Sequence, residues 1–162
     1  MQLILIYLNL GRPILFTQQR PGYKAQPFMI YKFRTMAMPS SDSLIHESDV
    51  ERMTKFGWLL RRASLDEIPQ LWNIICGDMS LVGPRPLLME YLPLYSAEQS
   101  RRHEVQPGIT GWAQVNYPYG ANLEDTINKL KYDLYYVRYF SLVMDLTIII
   151  KTGYTMLFGR GR

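Results

Sequence analysis

Cysteine and histidine are almost missing from this chain of 162 residues, which has one cysteine, Cys76, and two histidines, His46 and His103. A single thiol excludes an internal disulfide framework and fits a reducing compartment. Between Ile74, Ile75 and Gly77, Cys76 reads as a buried, inert thiol. His46 stands among acidic residues with no second histidine or cysteine nearby, so no metal role is expected of it. Long apolar runs are missing too. The opening Leu3-Ile4-Leu5-Ile6-Tyr7-Leu8 is too short to cross a bilayer, which takes about 20 apolar residues. It also lacks the positive n-region and small-residue cleavage site of a secretory signal. It reads either as a buried strand or helix end, or as the tail of a longer membrane element. Acidic residues number 14 against 18 basic ones, which leaves a net charge of +4 and a pI near 9.2. That balance favours anionic partners: nucleic acid, nucleotides or an acidic lipid surface.

Hydrophobic residues make up 48% of the chain, which excludes disorder and supports a single globular domain over 1–162. The densest information lies in Arg61-Arg62-Ala63-Ser64-Leu65-Asp66-Glu67-Ile68-Pro69-Gln70-Leu71. Two adjacent carboxylates follow two arginines. That combination suits chemistry on a phosphate. A carboxylate can attack phosphorus, a second can hold a metal, and arginines neutralise the substrate. Leu65, Ile68, Leu71, Trp72 and Ile75 recur at helical spacing and predict one buried stripe. Ser64 and Glu67 have capping-box spacing, and Pro69 is tolerated only near a first turn. Asp66 and Glu67 are therefore expected at a helix N-terminus, where ionised carboxylates are stabilised. Acidic residues also occur there simply as caps.

Other segments add to this. Residues 14–36 predict a hairpin turning at Pro21-Gly22, with Phe28, Ile30, Lys32 and Arg34 on one face of its second strand. The two cations face either solvent or an anion. Residues 38–52 predict a polar, mobile loop, and Met53 to Arg62 a short basic helix. Arg85 lies between Pro84 and Pro86, on a stiff extended segment that pre-organises it for phosphate. Residues 103–116 read as a binding loop, in which His103 serves a structural hydrogen bond more readily than base catalysis. A helix from Asn122 to about Phe140 has Leu123, Ile127, Leu130, Leu134 and Val137 as its core face, with Asp133 pointing elsewhere. A last apolar helix starts at about Ser141 and ends in Gly159-Arg160-Gly161-Arg162. It either rests on an anionic membrane or is buried.

Four motifs then occur in order: Lys32-Phe33-Arg34-Thr35-Met36, Ser64 to Leu71, Asp78-Met79-Ser80-Leu81-Val82-Gly83-Pro84-Arg85-Pro86, and Pro107-Gly108-Ile109-Thr110-Gly111-Trp112-Ala113-Gln114-Val115-Asn116. Together they resemble the bacterial sugar transferases, or monotopic phosphoglycosyl transferases, from about Gly11 to Thr152. The resemblance implies an α+β fold: a small hairpin or sheet against several helices, with amphipathic helices on a membrane surface. It implies transfer of a phospho-sugar from a nucleoside diphosphate sugar, usually a UDP-sugar, to polyprenyl phosphate at the cytoplasmic face of the bacterial inner membrane. It makes Asp66 the nucleophile and Glu67 a ligand of Mg²⁺. Lys32, Arg34, Arg61, Arg85, Gln114 and Asp133 become phosphate- or substrate-binding candidates, and a homo-oligomer is compatible with it. The family's re-entrant N-terminal helix is expected to be largely missing before Gly11. Tyr117-Pro118-Tyr119-Gly120 departs from the family pattern and implies a subgroup with its own sugar.

Two rival readings differ in class. A nucleic-acid module would need a contiguous basic or stacking surface, whereas these arginines cluster around acids and stiff turns, so no nucleic acid partner is expected. A catalytically silent membrane scaffold is compatible with a shortened N-terminus, but not readily with an intact Asp66, Glu67 and Arg85.

Overall fold

A hairpin organises the first half of the molecule. The computed structural model describes residues 6–7, 9, 11–38, 52–117 and 123–158. Strand β1 (Leu15–Pro21) pairs antiparallel with β2 (Pro27–Phe33), from Leu15 opposite Phe33 to Pro21 opposite Pro27. Gly22 and a 3-10 turn at Tyr23–Ala25 close it. The expected hairpin is therefore present. Phe33 packs with Ile6 and Leu60 in a first core, flanked by Ile14, Phe56 and Leu65. Leu60 belongs to helix α1 (Lys55–Arg62), which Thr54 caps by accepting the Gly57 N–H at 2.9 Å. Here α1 crosses the strand end so closely that a Cβ on Gly57 would stand 1.8 Å from Thr35 O. Ala37 N–H donates to Arg52 O and closes the base of the next loop. The loop itself, with His46, lies outside the described residues.

The segment after α1 differs from expectation. Ser64 takes a left-handed conformation (φ 53, ψ 21) and caps nothing, so no capping box forms with Glu67. A 3-10 turn at Leu65–Glu67 precedes a short helix, α2 (Gln70–Ile75). The apolar stripe is not buried as a unit. Leu65 packs on the core, but Trp72 and Ile75 are 59% and 75% exposed. The polar residues Gln70 and Asn73 are buried instead. The reason lies in β2, whose outer edge has backbone groups that need partners. Asn73 supplies them: Tyr31 N–H donates to Asn73 Oδ1 at 3.3 Å, and Asn73 Nδ2 donates to Met29 O at 2.7 Å. Cys76, expected to be buried, is exposed beyond the end of this helix.

The second half contains a sheet that the sequence did not announce. Strand β3 (Ser80–Val82) runs parallel to β4 (Gly108–Thr110). Their backbones meet so tightly that a Cβ on Gly108 would lie 2.1 Å from Gly83 N. Between them stands the short helix α3 (Ala97–Ser100) with a Ser96–Gln99 capping box. After β4 come α4 (Trp112–Asn116), α5 (Leu123–Tyr139) and α6 (Leu142–Phe158). The two long helices match expectation. Leu130 and Val137 are buried on α5 as expected, and Asp133 and Tyr136 are buried with them. A second core joins Val82, Tyr136 and Ile148, with Val105, Trp112, Val115 and Met144 around it. Lys151 donates to Asn116 Oδ1 at 2.7 Å, and Thr152 meets Thr110 at 2.6 Å, which ties α6 to β4 and α4. The opposite face of α6 stays exposed at Leu142, Val143, Leu146 and Ile150. No described helix is long and apolar enough to cross a membrane. The expected Asn122 cap, the 118–120 departure and the basic end at 159–162 fall outside the described residues, as do the side chains of Leu123 and Ile127.

Candidate active site

The left-handed Ser64 reverses the chain after α1 and sets the 3-10 turn against β2. Asp66 and Glu67 sit on that turn, and each is only 6% exposed. Burying two neighbouring carboxylates is costly unless cations meet them. Lys32, on β2, donates from Nζ to Glu67 Oε1 at 3.0 Å. Arg85, on the Pro84-Arg85-Pro86 segment, forms a close ion pair from Nη2 to the same oxygen. Its Nη1 approaches Glu67 Oε2 at 3.5 Å. One acid thus lies between two bases brought from separate elements.

The charge balance follows from that arrangement. Burial alone would push Glu67 upward, but Arg85 and Lys32 outweigh it and hold the carboxyl at about 2. Lys32 moves less favourably: burial and the Arg85 charge lower it, against the pull of Glu67 and Asp66. Glu67 has two cations, while each cation shares its acid with the other. Arg20, at the far end of β1, is likewise lowered by burial and by Arg85. Arg20, Lys32 and Arg85 thus lie close enough to act on one another, and three cations in one region suit an anion.

Of the residues singled out in the sequence, the structure brings Lys32, Asp66, Glu67 and Arg85 together. Arg61 Nε donates to Thr35 Oγ1 at 3.0 Å and ties α1 to the end of β2. Three candidates bond elsewhere. Arg34 is buried and donates to Arg12 O at 3.1 Å, because one step past β2 it turns under the chain entering β1. Gln114 Nε2 donates to Ile109 O at 3.0 Å within its own loop. Asp133 is buried and accepts from Arg102 Nη2 at 2.8 Å, with Lys129 near enough to act on its charge. His103 has its Nδ1 3.1 Å from Ser100 O, and burial and the Arg102 charge push its pKa below the ordinary imidazole value. Arg102 and Arg20 escaped the sequence reading. Arg101-Arg102-His103 looks like a surface basic run, and Arg101 does pair with Glu104 on the surface.

Mg²⁺ commonly takes one or two carboxylates and completes its shell with substrate phosphates and water. Glu67 is an ionised, hard oxygen donor, and its Oε2 meets Arg85 only at the limit of hydrogen-bonding distance. The donor set fits such a shared site. It does not fit an all-protein cage, because no group of three or more His, Cys, Asp or Glu side chains comes together among the described residues.

Residues 1–159 match the family model described as "Bacterial sugar transferase". The uncharacterized sugar transferase EpsL of Bacillus subtilis is 49% identical over 158 residues, covering 96% of this chain and 76% of that protein. A UDP-N-acetylgalactosamine-undecaprenyl-phosphate N-acetylgalactosaminephosphotransferase of Aeromonas hydrophila is 40% identical over 164 residues, covering 98% of this chain and 38% of the relative. A UDP-glucose:undecaprenyl-phosphate glucose-1-phosphate transferase of Escherichia coli is 38% identical over 154 residues, covering 91% and 33%. The chain therefore spans most of the Bacillus protein and well under half of the other two.

Proposed function

The chain belongs to the bacterial sugar transferase family, and from that premise we propose that it moves a phospho-sugar from a UDP-sugar to polyprenyl phosphate through Asp66. The observation that carries this reading is the Lys32–Glu67–Arg85 cluster beside Asp66, on a buried turn. A carboxylate nucleophile and a diphosphate repel each other. Cations fixed in advance remove that barrier without reorganising during the reaction.

The chemistry balances as two displacements at one phosphorus. An Asp66 carboxylate oxygen bonds to the phosphorus that bears the sugar, and the bond from that phosphorus to the bridging oxygen breaks. UMP leaves with the electron pair. A phosphate oxygen of the polyprenyl phosphate then attacks the same phosphorus, and the Asp66 carboxylate departs unchanged. Lys32 and Arg85 transfer part of their pairing from Glu67 to the arriving phosphates. Glu67 keeps both cations oriented beforehand and, with diphosphate oxygens, would hold Mg²⁺. When bound, that ion adds charge neutralisation on the diphosphate.

The setting we propose is the cytoplasmic face of the bacterial inner membrane. Exposed large apolar residues on three helices support it: Trp58 and Leu59 on α1, Leu71, Trp72 and Ile75 on α2, and Leu142, Val143, Leu146 and Ile150 on α6. Isolated exposed apolar residues are ordinary, but large ones that recur at helical spacing along one helix suit a contact surface. Replacing Trp72 and Ile75 with aspartate removes about 3 kcal/mol or more of apolar transfer. The variant is expected to shift from the lipid to the soluble fraction in vesicle flotation with anionic vesicles. Unchanged flotation would remove this surface from the account.

The activity is tested by offering the chain a panel of UDP-sugars with Mg²⁺ and undecaprenyl phosphate in detergent. UMP release and a lipid-linked sugar with one donor are expected. A folded protein that releases UMP from none of them would favour a catalytically silent scaffold.

A further inference from the structure

Arg85 stands on a segment that cannot hold itself. Pro84 and Pro86 have no N–H, so they cannot anchor the chain through their own donors. Donors from elsewhere fix its carbonyls. Gly108 N–H donates to Pro84 O at 3.1 Å. Arg102 Nη2 donates to Arg85 O at 2.7 Å. The same nitrogen donates to Asp133 Oδ2 at 2.8 Å, and Arg102 Nη1 reaches Tyr95 Oη at 3.2 Å. The side chains of Arg102 and Asp133 are 2% and 7% exposed. A chain of contacts thus runs from α5 through Arg102 to the Arg85 backbone, and from the Arg85 guanidinium through Glu67 to Lys32 on β2.

A buried ion pair is a poor way to gain stability. Well-packed apolar residues of similar size often do as well or better, whereas removing one partner alone is strongly destabilising. Asp133 is flanked on α5 by the core residues Leu130, Tyr136 and Val137, where an apolar residue would fit the pattern. The pair's distinctive product is geometric: it locks one guanidinium with a donor aimed at Arg85 O. A guanidinium suits this because its planar fork serves several acceptors at fixed angles.

We infer that Arg102, held by Asp133, is a positioning residue that sets the phosphate-facing guanidinium of Arg85 by fixing its backbone carbonyl. This rests on the phosphoglycosyl transfer reading above. It also reassigns Asp133 from substrate contact to support of the clamp.

The test removes the pair as a unit. The double variant Arg102→Met with Asp133→Leu leaves no unpaired buried charge, so it is expected to fold with a thermal midpoint close to that of the unmodified chain. The KM for the UDP-sugar is expected to rise about tenfold or more, the scale of a misplaced charged hydrogen bond, with little change in the KM for polyprenyl phosphate. A merely structural defect would lower the active fraction and so kcat, without moving KM. Adding Arg85→Gln to the double variant should cost far less than Arg85→Gln costs alone, because both act through one group. An unchanged UDP-sugar KM, or penalties that multiply independently, overturns the proposal. Should the double variant not fold, Arg102→Lys decides. It keeps a charge beside Asp133 but lacks the fork, so the same rise in KM is expected and an unmodified KM overturns the idea. If the unmodified chain itself releases no UMP, it is the activity that fails and not the positioning role.

Discussion

Replacing Asp66 with asparagine is expected to stop UMP release, with turnover falling by about three orders of magnitude or more. Asparagine keeps the size and the acceptor oxygen of the side chain. It has no charge with which to attack phosphorus and forms no acyl-phosphate that polyprenyl phosphate could discharge. Lys32, Glu67 and Arg85 still hold one another through the contacts at 3.0 Å and closer. The loss should therefore fall on kcat, with the KM for the UDP-sugar changed only a few-fold. Steady-state UMP release at varied UDP-sugar measures both. Turnover within about tenfold of the unmodified chain would remove Asp66 from the nucleophile's role.

Replacing Glu67 with glutamine is expected to damage stability and activity together. Lys32 and Arg85 would then face each other without the acid that lies between them. Their side chains are 22% and 35% exposed, so water relieves part of the repulsion. We expect a cost of about 2 kcal/mol, below the range for a fully buried broken pair. A chain of this size would lose roughly 5 °C in Tm. The same residue fixes an acid dependence. Glu67 is held at about 2 against an ordinary value of 4.5. A depressed carboxyl contributes stability that is fully present above pH 4.5 and is lost as pH falls toward 2. Its full size is about 3 kcal/mol. Urea unfolding across that window should show a steep decline for the unmodified chain and a shallower one for Glu67→Gln. Equal slopes would mean that Glu67 is not the group that titrates.

Parts of this molecule can be read directly from its residues. The hairpin is announced by Pro21-Gly22, and α5 and α6 by their spacing, because a local signal decides each. Glu67, Lys32 and Arg85 each stand out in the sequence, but their pairing with one another does not, because it joins three elements that meet only in the fold. What stayed hidden depends on long-range pairing. Strands β3 and β4 are three residues each and find each other across the α3 segment, so neither has a period to detect. The exposed stripe of α2 reads as core until Asn73 is seen serving the edge of β2. Ser64 suggested a cap because its left-handed backbone leaves no trace in its side chain. Arg102 resembled its exposed neighbour Arg101, since burial rather than residue type separates the two. The pairing of Asp133 with Arg102 was hidden for the same reason.

The central claim is a covalent phospho-sugar on Asp66, and peptide mapping by mass spectrometry tests it most directly. The chain is incubated with Mg²⁺ and a UDP-sugar that it turns over, without lipid acceptor, then quenched and digested. The account predicts a sugar-phosphate mass on the peptide that contains Asp66, formed as UMP appears and lost when polyprenyl phosphate is added. UMP release with no such adduct, or an adduct that persists in Asp66→Asn, would contradict it.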